Sequence, residues 1–248
     1  MLDTSFVWVL AFSLAGSVGA AAGGGLIVAL PEPARARVLP TLLSYAAGSL
    51  LGAAFLGMLP RALESVSARP ALSVVLAGLV GFFLLEKAVL WRHCHDDKCE
   101  VHGASAPLLL VGDGLHNFVD GVVIGAAFVA SVPLGIATSL AVIGHEIPQE
   151  LGDVAVLLHC GYSRRRAYGL NLLASTSTIP GACLGYFALD AAHGAIPYVL
   201  AVSAASFIYI AIADVVPSLH VHRGRGQTCA QLAAMLAGIA TIAIVHSH

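Results

Sequence analysis

Hydrophobic positions run along this chain in long stretches, and Pro, Gly and a few charged residues cut them into eight segments. These lie at about 6–29, 40–60, 71–90, 107–129, 134–159, 167–189, 196–219 and 228–246. Each is close to the roughly 20 apolar residues an α-helix needs to cross a bilayer. The pattern predicts an all-α polytopic membrane protein of eight transmembrane helices, with residues 1–248 forming one transmembrane domain. The first segment ends in small residues, Val18-Gly19-Ala20-Ala21-Ala22, as a signal peptide would. Only Asp3 precedes it and no basic residue does, so it reads as a retained helix.

Composition agrees with that pattern. The chain has 248 residues, 58% hydrophobic and 10% charged, with a mean hydropathy of +0.88. A soluble domain carries about 25% charged residues, so too few charges are present to solvate a surface. The net charge of -2 leaves no basic footprint for a nucleic acid. Five cysteines, an odd number without framework spacing, argue against a disulfide-stapled secreted domain.

Basic residues near helix ends are retained on the cytoplasmic side. One alternating set of connections holds Arg35, Arg37, Lys87, Arg92, Lys98, Arg164, Arg165, Arg166, Arg223 and Arg225, whereas the other holds only Arg61 and Arg69. This asymmetry predicts that both termini lie outside, and the compact loops suggest a bacterial cytoplasmic membrane. Glycines four apart, Gly19/Gly23, Gly48/Gly52, Gly121/Gly125 and Gly181/Gly185, mark positions where helices approach closely in lipid.

Against this background, ionisable residues in mid-span need partners or a pathway. They concentrate in segments four and five, Gly112-Asp-Gly-Leu-His-Asn-Phe-Val-Asp-Gly121 and Gly144-His-Glu-Ile-Pro-Gln-Glu-Leu-Gly-Asp153. On a helix, His116 and Asp120 share a face, with Asn117 beside them and Asp113 one turn earlier; His145 aligns with Gln149, and Glu146 with Glu150. The connection near Ala130 to Pro133 is short, so the two helices are antiparallel neighbours. At about 1.5 Å per residue, both imidazoles fall roughly 16 to 20 Å below the shared end, near the bilayer midplane. Imidazole, carboxylate and amide oxygen converging there suit a borderline divalent cation such as Zn²⁺, Fe²⁺ or Mn²⁺. Pro148 deprives the Gly144 carbonyl of its helical donor and predicts local unwinding beside the site.

The pair His116-Asn-Phe-Val-Asp-Gly121 and His145-Glu-Ile-Pro-Gln-Glu150 resembles the double signature of the Zrt/Irt-like (ZIP) divalent-metal transporters, nearest the branch with His-Glu-x-Pro-His-Glu. The stretch Phe207–His220 resembles segment seven of that branch. The resemblance implies a three-two-three arrangement whose first and last three helices are inverted repeats, helices one, four, five and six moving the metal past the others. It also implies uptake of zinc, with Fe²⁺, Mn²⁺ and Cd²⁺ as further candidate cargo, no resident cofactor, and a homodimer in many members. Carried over by position, one metal is held by His116, Asp120, His145 and Gln149, and a second by Asn117, Asp120, Glu146, Gln149 and Glu150. Asp113 and Asp153 are accessory candidates. Gln149 departs from the branch, which has His there, and a neutral amide is a weak zinc ligand. Segment two, Gly52–Arg61, lacks the acidic and His residues that line the entrance in many relatives.

The connection at 91–106 gathers His93, Cys94, His95, Asp96, Asp97, Cys99, Glu100 and His102, and resembles the family's His-rich loop. Cytosolic thiols stay reduced, which favours metal capture over a disulfide, although the spacing matches no closed zinc site and a solvated polar loop is an equal alternative. An intramembrane zinc protease would need His-Glu-x-x-His on one helix, and Gln149 occupies the second His position.

Overall fold

The computed structural model describes residues 4–93, 105–220 and 225–246, and all regular structure among them is helical. Eight helical rods follow one another: α1 (4–29), α2 (32–65), α3 (Ala68–His93), α4 (Ser105–Ala130), α5 (Val132–His159), α6 (164–191), α7 (196–219) and α8 (Arg225–His246). Five stretches are long and apolar enough to cross a membrane: Thr4–Leu26, Ala36–Ser65, Arg164–Leu189, His193–Ala213 and Gln227–Val245. Helix α3 adds a shorter apolar stretch, Ala68–Leu84. The remaining two, α4 and α5, carry the polar residues singled out above, which lower their apolarity. The chain is an all-α polytopic membrane protein, as the pattern predicts.

Helix α2 is longer than its apolar segment at 40–60, because Pro31 and Pro33 start it and residues 61–65 continue it past the apolar run. Proline is tolerated in a first turn, where its missing N–H would have no intrahelical partner. Near the other end Arg61 contacts Glu64 and donates to the Ala130 carbonyl at 3.0 Å, tying α2 to the last residue of α4. Ser131 alone separates α4 from α5, and its hydroxyl accepts from the Leu134 N–H at 3.3 Å. The antiparallel hairpin is therefore as tight as expected. Gly161, with φ +86°, turns the chain out of α5 toward α6 in a backbone region that favours glycine.

One expectation about helix continuity is corrected, and one span carries a break that the apolar pattern does not address. Within the apolar stretch Arg164–Leu189, α6 stops at Ser175 and resumes at Thr178. Pro180 removes the donor for the Thr176 carbonyl, and Thr176 and Thr178 hydroxyls bond back to the Leu173 and Ser175 carbonyls at 2.6 and 2.8 Å. Conversely, α5 runs through Pro148 without unwinding. One missing donor bends a helix when the neighbouring turns keep theirs. The wide π-turns fall elsewhere, at Ala15–Gly19 in α1, Ala53–Met58 in α2 and Ile210–Val215 in α7, the last two just before Pro60 and Pro217.

Glycine contacts fix two helix crossings. A Cβ on Gly121 would meet the Thr178 carbonyl, and one on Gly181 the Phe118 carbonyl, so α4 and α6 touch backbone to backbone. Gly125 and Gly185 continue that seam, while Gly48, Gly52 and Gly238 form a similar one between α2 and α8. Of the sequence-predicted glycines only Gly19 faces open space. The main apolar core, including Leu50, Met58, Ile124, Leu134, Val142, Leu200 and Phe207, is built chiefly from α2, α4, α5 and α7.

Candidate metal site

His116 and Asp120 lie one turn apart on α4, and His145 and Glu146 are adjacent on α5. The tight hairpin brings these pairs to one depth, and one ligand atom from each residue lies within 4.8 Å of all the others. His145 Nε2 is 2.9 Å from Asp120 Oδ2 and 3.3 Å from Glu146 Oε1; His116 Nε2 is 3.4 Å from Glu146 Oε1 and 3.9 Å from Asp120 Oδ2. A tetrahedral ion with bonds of about 2.1 Å places its ligand atoms roughly 3.4 Å apart, which falls inside this range.

The cluster is buried. Asp120 and Glu146 are each 1% exposed and His145 4%, whereas the His116 side chain is 27% exposed. His145 Nδ1 lies 3.1 Å from the Ala141 carbonyl, which can only accept, so Nδ1 carries the proton and Nε2 presents its lone pair to the cluster. The four ligand atoms close on one another by distance, yet none has a hydrogen-bond partner. Lone pairs that converge without pairing, in a place closed to water, are the arrangement a shared cation satisfies.

The other predicted residues are engaged differently. Asn117 donates to Asp113 Oδ1 at 2.9 Å and accepts from the Thr178 hydroxyl at 3.0 Å. The Gln149 amide nitrogen is 3.5 Å from Asp113 Oδ1. Glu150 accepts from Asn171 through one oxygen and from Ser175 through the other. Asp153 is half-buried on α5. The structure thus brings His116, Asp120, His145 and Glu146 together, and surrounds them with Asp113, Asn117, Gln149, Glu150 and Asp153. Sequence reasoning missed Asn171, Ser175 and Thr178, although the polar run Ser175-Thr-Ser-Thr178 inside an apolar segment was the available signal. His93 ends α3, and Cys94, His95, Cys99 and His102 lie outside the described residues.

Fold and site together define a polytopic helical membrane protein with a cluster of two imidazoles and two carboxylates between adjacent helices that could hold a metal ion. The sequence profile described as ZIP zinc transporter matches residues 91–246. The chain belongs to the ZIP zinc transporter family. It is 40% identical over 147 residues to the zinc transporter foi of Drosophila melanogaster, covering 59% of this chain and 21% of that protein. It is 43% identical over 112 residues to the zinc transporter ZIP10 of Danio rerio, covering 45% of this chain and 13% of that protein. With the human zinc transporter ZIP4 it shares 30% identity over 251 residues, covering 73% of this chain and 39% of that protein. The chain therefore spans well under half the length of these relatives.

Proposed function

We propose that the protein carries divalent transition-metal ions, zinc foremost, across a bacterial cytoplasmic membrane into the cytoplasm. The observation that carries this reading is the convergence of four unpartnered ligand atoms from His116, Asp120, His145 and Glu146 at the middle of two adjacent buried helices. Membership of the family and the zinc transport named for its relatives support zinc over iron, manganese or cadmium as the main cargo. The protein acts as a transporter and not as an enzyme, since the His-Glu-x-x-His arrangement of a zinc protease is broken at Gln149.

In this reading the whole of 1–248 is one domain of eight spans with both termini outside, nearest the His-Glu-x-Pro-His-Glu branch. The spans form a three-two-three arrangement in which inverted repeats rock against each other for alternating access. The metal passes a midplane site that holds up to two ions, Asn117, Gln149 and Glu150 serving the second when their present hydrogen bonds open. The 91–106 connection captures ions on the cytoplasmic side, and the transporter works as a homodimer.

The test is uptake of Zn²⁺, Fe²⁺ and Mn²⁺ into vesicles containing the purified protein. Asp120→Ala removes the carboxylate nearest His145 and is expected to abolish uptake at matched folded protein. Near-normal uptake of all three ions by that variant overturns the assignment.

A further inference from the structure

The polar contacts sort most of the helices into two groups. Within α4, α5 and α6, the Ser177 hydroxyl donates to the Gly114 carbonyl at 2.6 Å, Thr178 to Asn117 at 3.0 Å, and Asn171 and Ser175 to Glu150. Within α2, α7 and α8, Gly48 and Gly238 seat α8 against the backbone of α2, and Gln231 donates to the Leu219 carbonyl at 3.3 Å. Where α5 faces α2 and α7 the contact is apolar: Leu134 and Val142 share a core with Leu50, Met58, Leu200 and Phe207. Apolar contact is non-directional, so the two groups can shift along it without breaking a hydrogen bond. Arg61 is different. It stands on α2, and its guanidinium donates to the Ala130 carbonyl of α4 at 3.0 Å. Of the side-chain hydrogen bonds named here, it is the one that joins the two groups.

The local sequence builds this tie. Ala130 ends α4, so its carbonyl has no donor within that helix. The Leu134 N–H, which an unbroken helix would supply, goes to the Ser131 hydroxyl instead. Arg61 provides the missing donor, while Glu64, one turn on, contacts its other terminal nitrogen and steadies the planar fork. The Arg61 side chain is 42% exposed, and an exposed polar contact is weak enough to break in every cycle.

We propose that Arg61 is a latch that holds the Ser131 end of the protein closed. This end opens when the Ala130 carbonyl passes from Arg61 to water, and Glu64 then keeps the guanidinium. The proposal rests on the transport reading above, in which the two ends open alternately.

The experiment uses the full-length protein in lipid vesicles and a small charged thiol reagent that does not cross the bilayer. Thr138→Cys reports on the Ser131 end, since Thr138 lies seven residues before His145 and is fully buried, and Asp153→Cys reports on the opposite end. Each is read against the parent with the native cysteines only. Arg61→Gln is expected to speed labelling of Thr138→Cys from outside by about fivefold, which corresponds to roughly 1 kcal/mol between the two conformations, and to slow labelling of Asp153→Cys from inside. Arg61→Lys keeps the charge and should fall between. A general loosening of the helices speeds both reporters and overturns the proposal, as does an unchanged rate at Thr138→Cys. A second measurement does not depend on the Gln variant folding. In Arg61→Cys with Ala130→Cys, a short bifunctional thiol reagent restores the tie covalently and should stop Zn²⁺ uptake until a reductant cleaves it. Uptake that continues through the bridge overturns the latch. Absence of Zn²⁺ uptake from wild type counts against the transport reading itself, so the two failures are distinguishable.

Discussion

Replacing Ser175 with Ala tests whether the contact of Glu150 with α6 stabilises the helix packing independently of the four-ligand cluster. Glu150 is almost fully buried, and both of its oxygens take their hydrogen bonds from α6, one from Ser175 and one from Asn171. Ser175→Ala leaves a charged acceptor without its donor in a place that water does not reach. Hydrogen bonds to charged groups are worth about 1.5–3 kcal/mol in soluble proteins, whereas interhelical bonds in membranes average about 0.6 and reach about 1.7 kcal/mol. A carboxylate acceptor with no alternative partner belongs at the upper end of the membrane range, about 1–2 kcal/mol. At roughly 2–4 °C per kcal/mol for a chain of this size, the unfolding midpoint should fall by about 2–8 °C. In the background of Glu150→Gln the same substitution should cost less than half as much, because a neutral amide brings its own donor. The assay pairs thermal unfolding at a fixed heating rate with a zinc-binding isotherm. Zinc affinity should stay within about twofold of wild type, since the four-ligand cluster keeps its atoms. An unchanged midpoint with affinity lowered tenfold would refute this reasoning, since the Ser175 contact would then support metal binding and not the packing of α6.

Three further outcomes are expected. A cysteine introduced in the 161–166 connection should react with an impermeant thiol reagent only after the membrane is opened, and Gly194→Cys should react from outside; reversal of either breaks the proposed topology. Gly181→Val puts a side chain onto the Phe118 carbonyl and should cost about 3 kcal/mol or more, whereas Gly81→Ala, which meets nothing, should leave the unfolding midpoint unchanged or raise it. Gln149→His should tighten zinc binding and narrow selectivity against Mn²⁺ and Fe²⁺ without faster turnover, measured by competition against labelled Zn²⁺; coincident competition profiles would remove Gln149 from the ion's path.

Much of the site was legible because helical periodicity and depth are both readable from a sequence. The four-residue step from His116 to Asp120 gives a shared face, and the single-residue link at Ser131 gives a shared depth. The competition among polar partners was not legible. Asn117 and Glu150 have ligand chemistry and ligand spacing, yet in the structure Thr178, Asn171 and Ser175 of α6 hold them. Those partners lie more than 20 residues away in the chain: the Gly121 and Gly181 crossing brings Thr178 to Asn117, and the turn at Gly161 lays Asn171 and Ser175 beside Glu150. The proline reading failed for a related reason. Pro148 was expected to open the backbone and Pro180 passed unnoticed, although each removes one donor. Around Pro180, Thr176 and Thr178 hydroxyls compete for nearby carbonyls, and no such group flanks Pro148 in the sequence Glu146-Ile-Pro-Gln149.

In the proposed transport reading, the composition of α5 also sets which way an ion would leave the four-ligand cluster. Before His145 the helix gives Leu134, Ala137, Ala141 and Val142 to an apolar core that Leu50, Met58, Leu200 and Phe207 complete, all of them buried. Thr138 and Ser139 are polar there, but Ser139 is spent on the Gly135 carbonyl at 2.7 Å. After His145 the same helix offers Glu146, Gln149, Glu150 and Asp153, and α4 adds Asp113 and Asn117. A divalent ion loses hydration only where ligands replace water, so in that reading the apolar half would be a barrier and the oxygen-rich half a path. Passage toward the Ser131 end then requires α2 and α7 to separate from α5. Both carry a π-turn where they pack into that core, at Ala53–Met58 and Ile210–Val215, and a wide turn is a place where a helix can change its local winding at the cost of one hydrogen bond.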